Sequence, residues 1–145
     1  MTRCWNRWMG VVCMLLCVQV GNAYAAIAVT NAWIREVPPQ SPVAAAFMVL
    51  TNDSQSADRI VAMSSPLAGR VEWHDMRHEQ GRMEMTQRHR PELPAGVTTR
   101  LAPMESHLML LELKQPLRIG MIVPIELRLA SGGTVFVRAE VKATR

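Results

Sequence analysis

The chain has 145 residues, with 16 Lys and Arg against 12 Asp and Glu, 11 methionines and three cysteines. Its cations are scattered singly, without the runs or interleaved aromatics of a phosphate-tracking surface, which argues against a nucleic-acid partner. The length fits one domain with one core, and no repeat or low-complexity tail marks a second.

The first 25 residues read as a secretory leader, removed before folding. Arg3 and Arg7 precede an apolar run from Met9 to Val20, and Ala23-Tyr24-Ala25 has the small-x-small form of a cleavage site. The apolar run is shorter than the roughly 20 residues that a membrane-spanning helix needs. Cleavage leaves a β-domain over residues 26–145 in the periplasm, with 14 cations against 12 acids. Cys4, Cys13 and Cys17 all go with the leader, so the exported domain has neither a disulfide nor a thiolate metal site. Lipid attachment at Cys17 is the alternative, but a bacterial lipobox wants a small residue before its cysteine. Leu16 stands there, and Val12 precedes Cys13.

Beyond the leader, short runs rich in Val, Ile, Leu, Thr and Met recur about every ten residues with turn residues between them, the pattern of an all-β sandwich or barrel. Strands are predicted over residues 29–34, 44–51, 59–63, 70–77, 82–88, 98–101, 107–113, 123–129 and 134–141. Pro38-Pro39-Gln40-Ser41-Pro42 makes a loop within the fold, and turns fall at Asn52-Asp53-Ser54, Leu93-Pro94-Ala95-Gly96 and Ser131-Gly132-Gly133. Alternation is clearest in the last hairpin, where Ile125, Leu127 and Leu129, then Val135, Val137, Ala139 and Val141, take the core face.

The hairpin over residues 70–88 bears the chemistry. A four-residue loop, His78-Glu79-Gln80-Gly81, would set Arg77 against Arg82, and this register places His74 opposite Met85 and Met76 opposite Met83. Opposed Cβ atoms lie about 5 Å apart, within reach of one ion. Val71 and Trp73 share the core face, while Glu72, His74 and Met76 point the other way. On a later strand His107 and Met109 also share a face, about 6.6 Å apart along the backbone.

His74, Met85, His107 and Met109 together form a His-x10-Met-x21-His-x-Met pattern. Thioether sulfur and neutral imidazole are soft or borderline donors that suit Cu(I) far better than magnesium, calcium or manganese. Methionine never protonates, so such a shell keeps its sulfur donors in mildly acid, oxidising surroundings. Met48, Met63 and Met121 are assigned to the core, Met104 to the surface, and His78 and His89 to solvent. For Met76 and Met83, binding, rim and packing roles stay open.

These residues resemble the periplasmic copper chaperones of the PCuAC type. The likeness extends over Val71-Glu72-Trp73-His74, Met83-Glu84-Met85, Leu93-Pro94-Ala95-Gly96, His107-Leu108-Met109-Leu110 and Leu113-Lys114-Gln115-Pro116-Leu117 with Gly120, across most of the exported chain. It implies a cupredoxin-like Greek-key β-barrel and one exposed Cu(I) held at His74, Met85, His107 and Met109. It further implies delivery of copper toward the CuA centre of cytochrome c oxidase, with subunit II or a Sco-type thiol protein as the recipient. One departure is that Met104-Glu105-Ser106 stands where the family carries a glycine-rich turn before the second histidine.

Three other classes compete. A blue-copper protein needs a His2Cys set, which the exported chain lacks. An enzyme needs acid/base or nucleophilic partners, and no Ser-His-Asp, Cys-His or paired-carboxylate arrangement stands out, although Glu72, Asp75 and Glu84 lie near the proposed ligands. A metal-free exported β-sandwich for binding or assembly, with methionines as an adaptable apolar surface, is the main competitor.

Overall fold

A computed structural model describes residues 27–143, and the leader with its three cysteines lies outside them. The described residues are all β, as the spacing of the apolar runs predicts. In chain order the strands are β1 (Ile27–Arg35), β2 (Val43–Asn52), β3 (Asp58–Ser64), β4 (Ala68–Glu79), β5 (Arg82–Gln87), β6 (Glu92–Leu93), β7 (Thr98–Leu101), β8 (His107–Leu113), β9 (Ile122–Leu129) and β10 (Thr134–Lys142). Each of the nine predicted strands is present. The two-residue β6, which pairs with β3, falls where the sequence suggests only a turn.

Hydrogen-bonded neighbours run β5-β4-β8-β2-β1-β10-β9-β3-β6, with β7 alongside β2. Neighbours far apart in the chain mark Greek-key connections in a cupredoxin-like sandwich. Every pairing is antiparallel except that of β1 with β10, which is parallel and joins the first described strand to the last. Asn31, at a positive φ of 52°, sits where the β1–β2 register shifts, and beyond it β1 pairs with both β2 and β10. Such a bulge bends the strand and lets it serve both layers.

Alternation puts Val71 and Trp73 of β4, Leu108 and Leu110 of β8, and Ala44, Ala46, Met48 and Leu50 of β2 into the core from one layer. Val123, Ile125, Leu127 and Leu129 of β9 and Val135, Val137, Ala139 and Val141 of β10 meet them from the other. Trp73, at 2% exposure, is the largest fully buried side chain. Met48 is core as expected, Met63 and Met121 pack against it, and Met104 is 67% exposed. Asn52 is buried at the end of β2, and its side-chain amide donates to the Leu93 and Ser56 carbonyls, replacing water for the loop ends that converge there.

The β4–β5 hairpin departs from the expected register. Its loop has two residues, not four: Gln80 and Gly81 both take positive φ, 50° and 76°, and Glu79 pairs with Arg82. Positive φ at both central positions is what a type I′ turn requires, and its twist suits two-residue hairpins. β4 therefore runs two residues further, to Glu79, and all partners shift by two. Met85 stands opposite Met76 rather than His74, and Met83 opposite His78 rather than Met76. A shift of two preserves side-chain parity, so every residue keeps its expected face.

Candidate metal centre

The site lies on the outer face of the layer formed by β4, β8 and β2. Pairing of β4 with β8 sets His74 directly opposite His107 and Glu72 opposite Met109. On the far side of β8, Met109 pairs with the small Ala45 of β2. The His74 and His107 ring centroids are 6.1 Å apart. With metal–nitrogen bonds of about 2.0 Å and about 1.1 Å from ring centre to nitrogen, two imidazoles on one ion have centres about 5–6 Å apart, so the pair fits a shared ion.

Each imidazole has one nitrogen committed and one free. The Nδ1–H of His107 donates to the Glu105 carbonyl at 3.0 Å, which fixes the ring and leaves Nε2 as an acceptor. The Nε2–H of His74 donates to Glu72 Oε2 at 2.9 Å. Its Nδ1 is buried and has no hydrogen-bond partner, a costly condition in a folded domain unless a ligand satisfies it. Glu72 is anchored in turn by Arg70, which also bridges to Glu112.

The sulfur donors stand at graded depth. Met109 is half-buried beside the two histidines, Met76 is half-buried on β4, and Met85 is 50% exposed on the edge strand β5. By register Met85 lies diagonal to His74, two residues along β5 from Gln87, the direct partner of His74. Thus His74, His107 and Met109 come together as neighbours on two strands, and Met85 approaches from the next strand with Met76 beside it. Among the described residues no three His, Cys, Asp or Glu side chains converge to hold a metal, and the further soft donors beside the two histidines are methionine sulfurs. Two nitrogens and thioether sulfur form a soft donor set that matches Cu(I).

Two further features were missed in the sequence. Phe47 of β2 is 3% exposed although it lies on the outer face, because Trp33 stacks on it at 4.6 Å and Arg35 lies over its ring at 5.6 Å. Its centroid is 6.2 Å from that of His107, so an aromatic wall closes one side of the site. Only the pairing of β2 with β8 reveals this, since β2 is apolar on both faces.

The second is Asp75, on the opposite face of β4 from His74 and 6% exposed. It accepts from Trp73 Nε1 at 2.9 Å, Ser106 Oγ at 2.6 Å and Arg88 Nε at 2.6 Å. Burial pushes its carboxyl up, but the bonds from Ser106, Trp73 and Arg88 and the charge of Arg88 outweigh burial and hold it below the ordinary 3.8. One carboxylate thereby ties together β4, the end of β5 and the loop that delivers His107. In that loop Met104 takes a positive φ of 67°, the conformation a glycine-rich turn would supply without strain.

Residues 27–141 match the family described as "Putative lipoprotein LpqE-like". The chain belongs to the LpqE-like family. This LpqE-like chain is 31% identical over 123 residues to "Putative lipoprotein Lxx21020" of Leifsonia xyli subsp. xyli, a match that covers 84% of the chain and 73% of that relative. Among solved structures it is similar to CuI-DR1885 from Deinococcus radiodurans, at 32% identity, 84% coverage of this chain, 81% of that one and a TM-score of 0.63. It also shares its fold with the copper-bound PCuAC domain from PmoF2, at 21% identity, 84% and 97% coverage and a TM-score of 0.69. The LpqE-like fold is thus the cupredoxin-like β-sandwich of PCuAC domains.

Proposed function

We propose that this chain is an exported carrier of Cu(I). One ion is held by His74, Met85, His107 and Met109 and handed to a copper-receiving protein. The observation that carries this reading is the opposed pair His74 and His107, each ring with one nitrogen committed and one free, flanked by thioethers on an accessible sheet face. Its likeness to a protein solved with Cu(I) supports the choice of metal.

The graded depth of the ligands suits transfer. Met85 is the most exposed of the four, so an incoming sulfur or imidazole can displace it first while the less exposed histidines still hold the ion. A shell without thiolate yields copper to cysteine-containing acceptors, whose anionic sulfur binds Cu(I) more strongly. This supports delivery toward the CuA centre of cytochrome c oxidase, through subunit II or a Sco-type thiol protein.

The deciding experiment is an anaerobic Cu(I) titration against a calibrated chelator, with X-ray absorption on the loaded form. One tightly held ion with about two nitrogen and two sulfur neighbours is expected. No competitive retention overturns the reading and leaves a metal-free β-sandwich binding module; equal retention after Met109→Leu and His107→Ala overturns the carrier site at these residues. Delivery is tested by mixing the loaded protein with metal-free acceptor domains; copper that stays on the carrier rules that acceptor out.

For export, the proposal is a leader cleaved after Ala25. The lipoprotein naming of the family and of the Leifsonia relative favours a second reading, lipid attachment at Cys17 or Cys13. The mass of the exported protein separates them: a chain starting at Ala26 supports cleavage, and a diacylated cysteine at the N-terminus supports anchoring.

A further inference from the structure

The β4–β5 hairpin sorts its side chains by chemistry. One face carries the pairs His74 and Gln87, Met76 and Met85, and His78 and Met83. The opposite face carries Asp75 and Thr86, Arg77 and Glu84, and Glu79 and Arg82. Every charged side chain of the paired segment is on one side, and the thioethers and imidazoles are all on the other.

Burial does not account for these methionines. All of β5 is exposed, Met83 at 39% and Met85 at 50%, and β5 is an edge strand at the end of the sheet. A methionine left this exposed on an edge strand gains only part of its hydrophobic stabilisation, so its sulfur is a property left to explain. His78 is likewise exposed, on the same face.

We infer that Met76, His78 and Met83 form a second, weaker Cu(I) site at the outer end of the hairpin, from which the ion steps to the main site. His78 and Met83 are directly opposed, with Cβ atoms about 5 Å apart, and Met76 follows on the same face about 6.6 Å along β4. One imidazole and two flexible thioethers can converge on one soft ion at that span. The next pair inward is Met76 and Met85, so the two sites are contiguous: Met76 belongs to the outer and Met85 to the inner. No bond is made or broken besides metal–ligand bonds, and copper stays Cu(I) throughout. Its role as an entry step rests on the carrier reading; binding at the hairpin does not.

The test uses the exported protein carrying ¹³C-methyl methionine, titrated anaerobically with Cu(I). The first equivalent is expected to shift the Met85 and Met109 methyl resonances, and a second, bound at least about 10-fold more weakly, those of Met83 and Met76. His78→Ala combined with Met83→Leu should keep the first equivalent, lose the second, and slow loading of the main site several-fold. A second equivalent that does not bind, that leaves Met83 unmoved, or that persists in the double variant overturns the inference. If instead Met83 and Met76 respond while Met85 and Met109 never do, the carrier site fails and the hairpin site stands.

Discussion

His74 and His107 face each other across neighbouring antiparallel strands, 33 positions apart in sequence and 6.1 Å between ring centroids. The opposition is a property of the β4–β8 register, so perturbing the register perturbs the site.

Glu72 governs His74. Its carboxylate holds Nε2–H and leaves the unpartnered Nδ1 with its lone pair free. Glu72→Ala is expected to weaken Cu(I) retention about 10- to 100-fold, the usual effect of losing a group that orients a metal-ligating histidine, while Glu72→Gln, which still accepts a hydrogen bond, costs less. Competitive chelator titration measures both; equal affinity in wild type and Glu72→Ala would show that the contact does not orient the ring.

Asp75 couples stability to pH. Its carboxyl, and that of Asp58, which burial raises but bonds from Ser131 and nearby backbone amides lower further, both lie below 3.8 in the folded chain. A depressed folded value means the stabilisation is whole above the unfolded value and is lost as pH falls through the folded one. Thermal melts of the metal-free protein should therefore weaken steeply below about pH 4. Asp75→Asn should cost about 2–4 kcal/mol at neutral pH, through the loss of a largely buried charge partner to Arg88, and should flatten the acid decline.

Gly69 lies close against Glu112 across the β4–β8 contact. A Cβ added there would come within 2.8 Å of the Glu112 Cβ, and Glu112 already takes a positive φ of 56°. Gly69→Ala should cost about 1–3 kcal/mol in urea unfolding, as overpacking does. Because the displaced strands carry both histidines, Cu(I) affinity should fall with it; stability lost at unchanged affinity would show that the register absorbs the change locally.

Met109→Leu separates sulfur from volume. The swap is nearly isosteric and should cost less than about 1.5 kcal/mol of stability. It removes a thioether, so Cu(I) retention should drop at least about 10-fold, and X-ray absorption should count one sulfur fewer.

The strands were legible because alternating apolar residues and Gly, Asn and Pro turns repeat through the chain. The face of each candidate ligand was legible too, since parity along a strand needs no knowledge of neighbours. Neighbours were not. The His74–His107 opposition depends on which strands adjoin, and nothing local in residues 70–77 points to residues 107–113. The hairpin register failed at one residue: Gln80 adopts a positive φ that sequence reserves for glycine or asparagine, which shortened the loop by two. Asp75 read as an acid near the ligands, whereas its work is on the other face, in the core, where only tertiary packing brings Ser106 and Arg88 to it.

The parallel pairing of β1 with β10 has a kinetic consequence. The first described strand lies in the middle of the sheet path, and its neighbour on one side is the last described strand. Contacts between chain ends are the slowest to form, because the whole intervening loop must be closed. The described domain therefore cannot complete its sheet segment by segment from the first strand onward. Its closing step is the docking of β10 on β1, the strand that also pairs with β2, so the sheet that sets His74 opposite His107 is completed by the contact most distant in sequence.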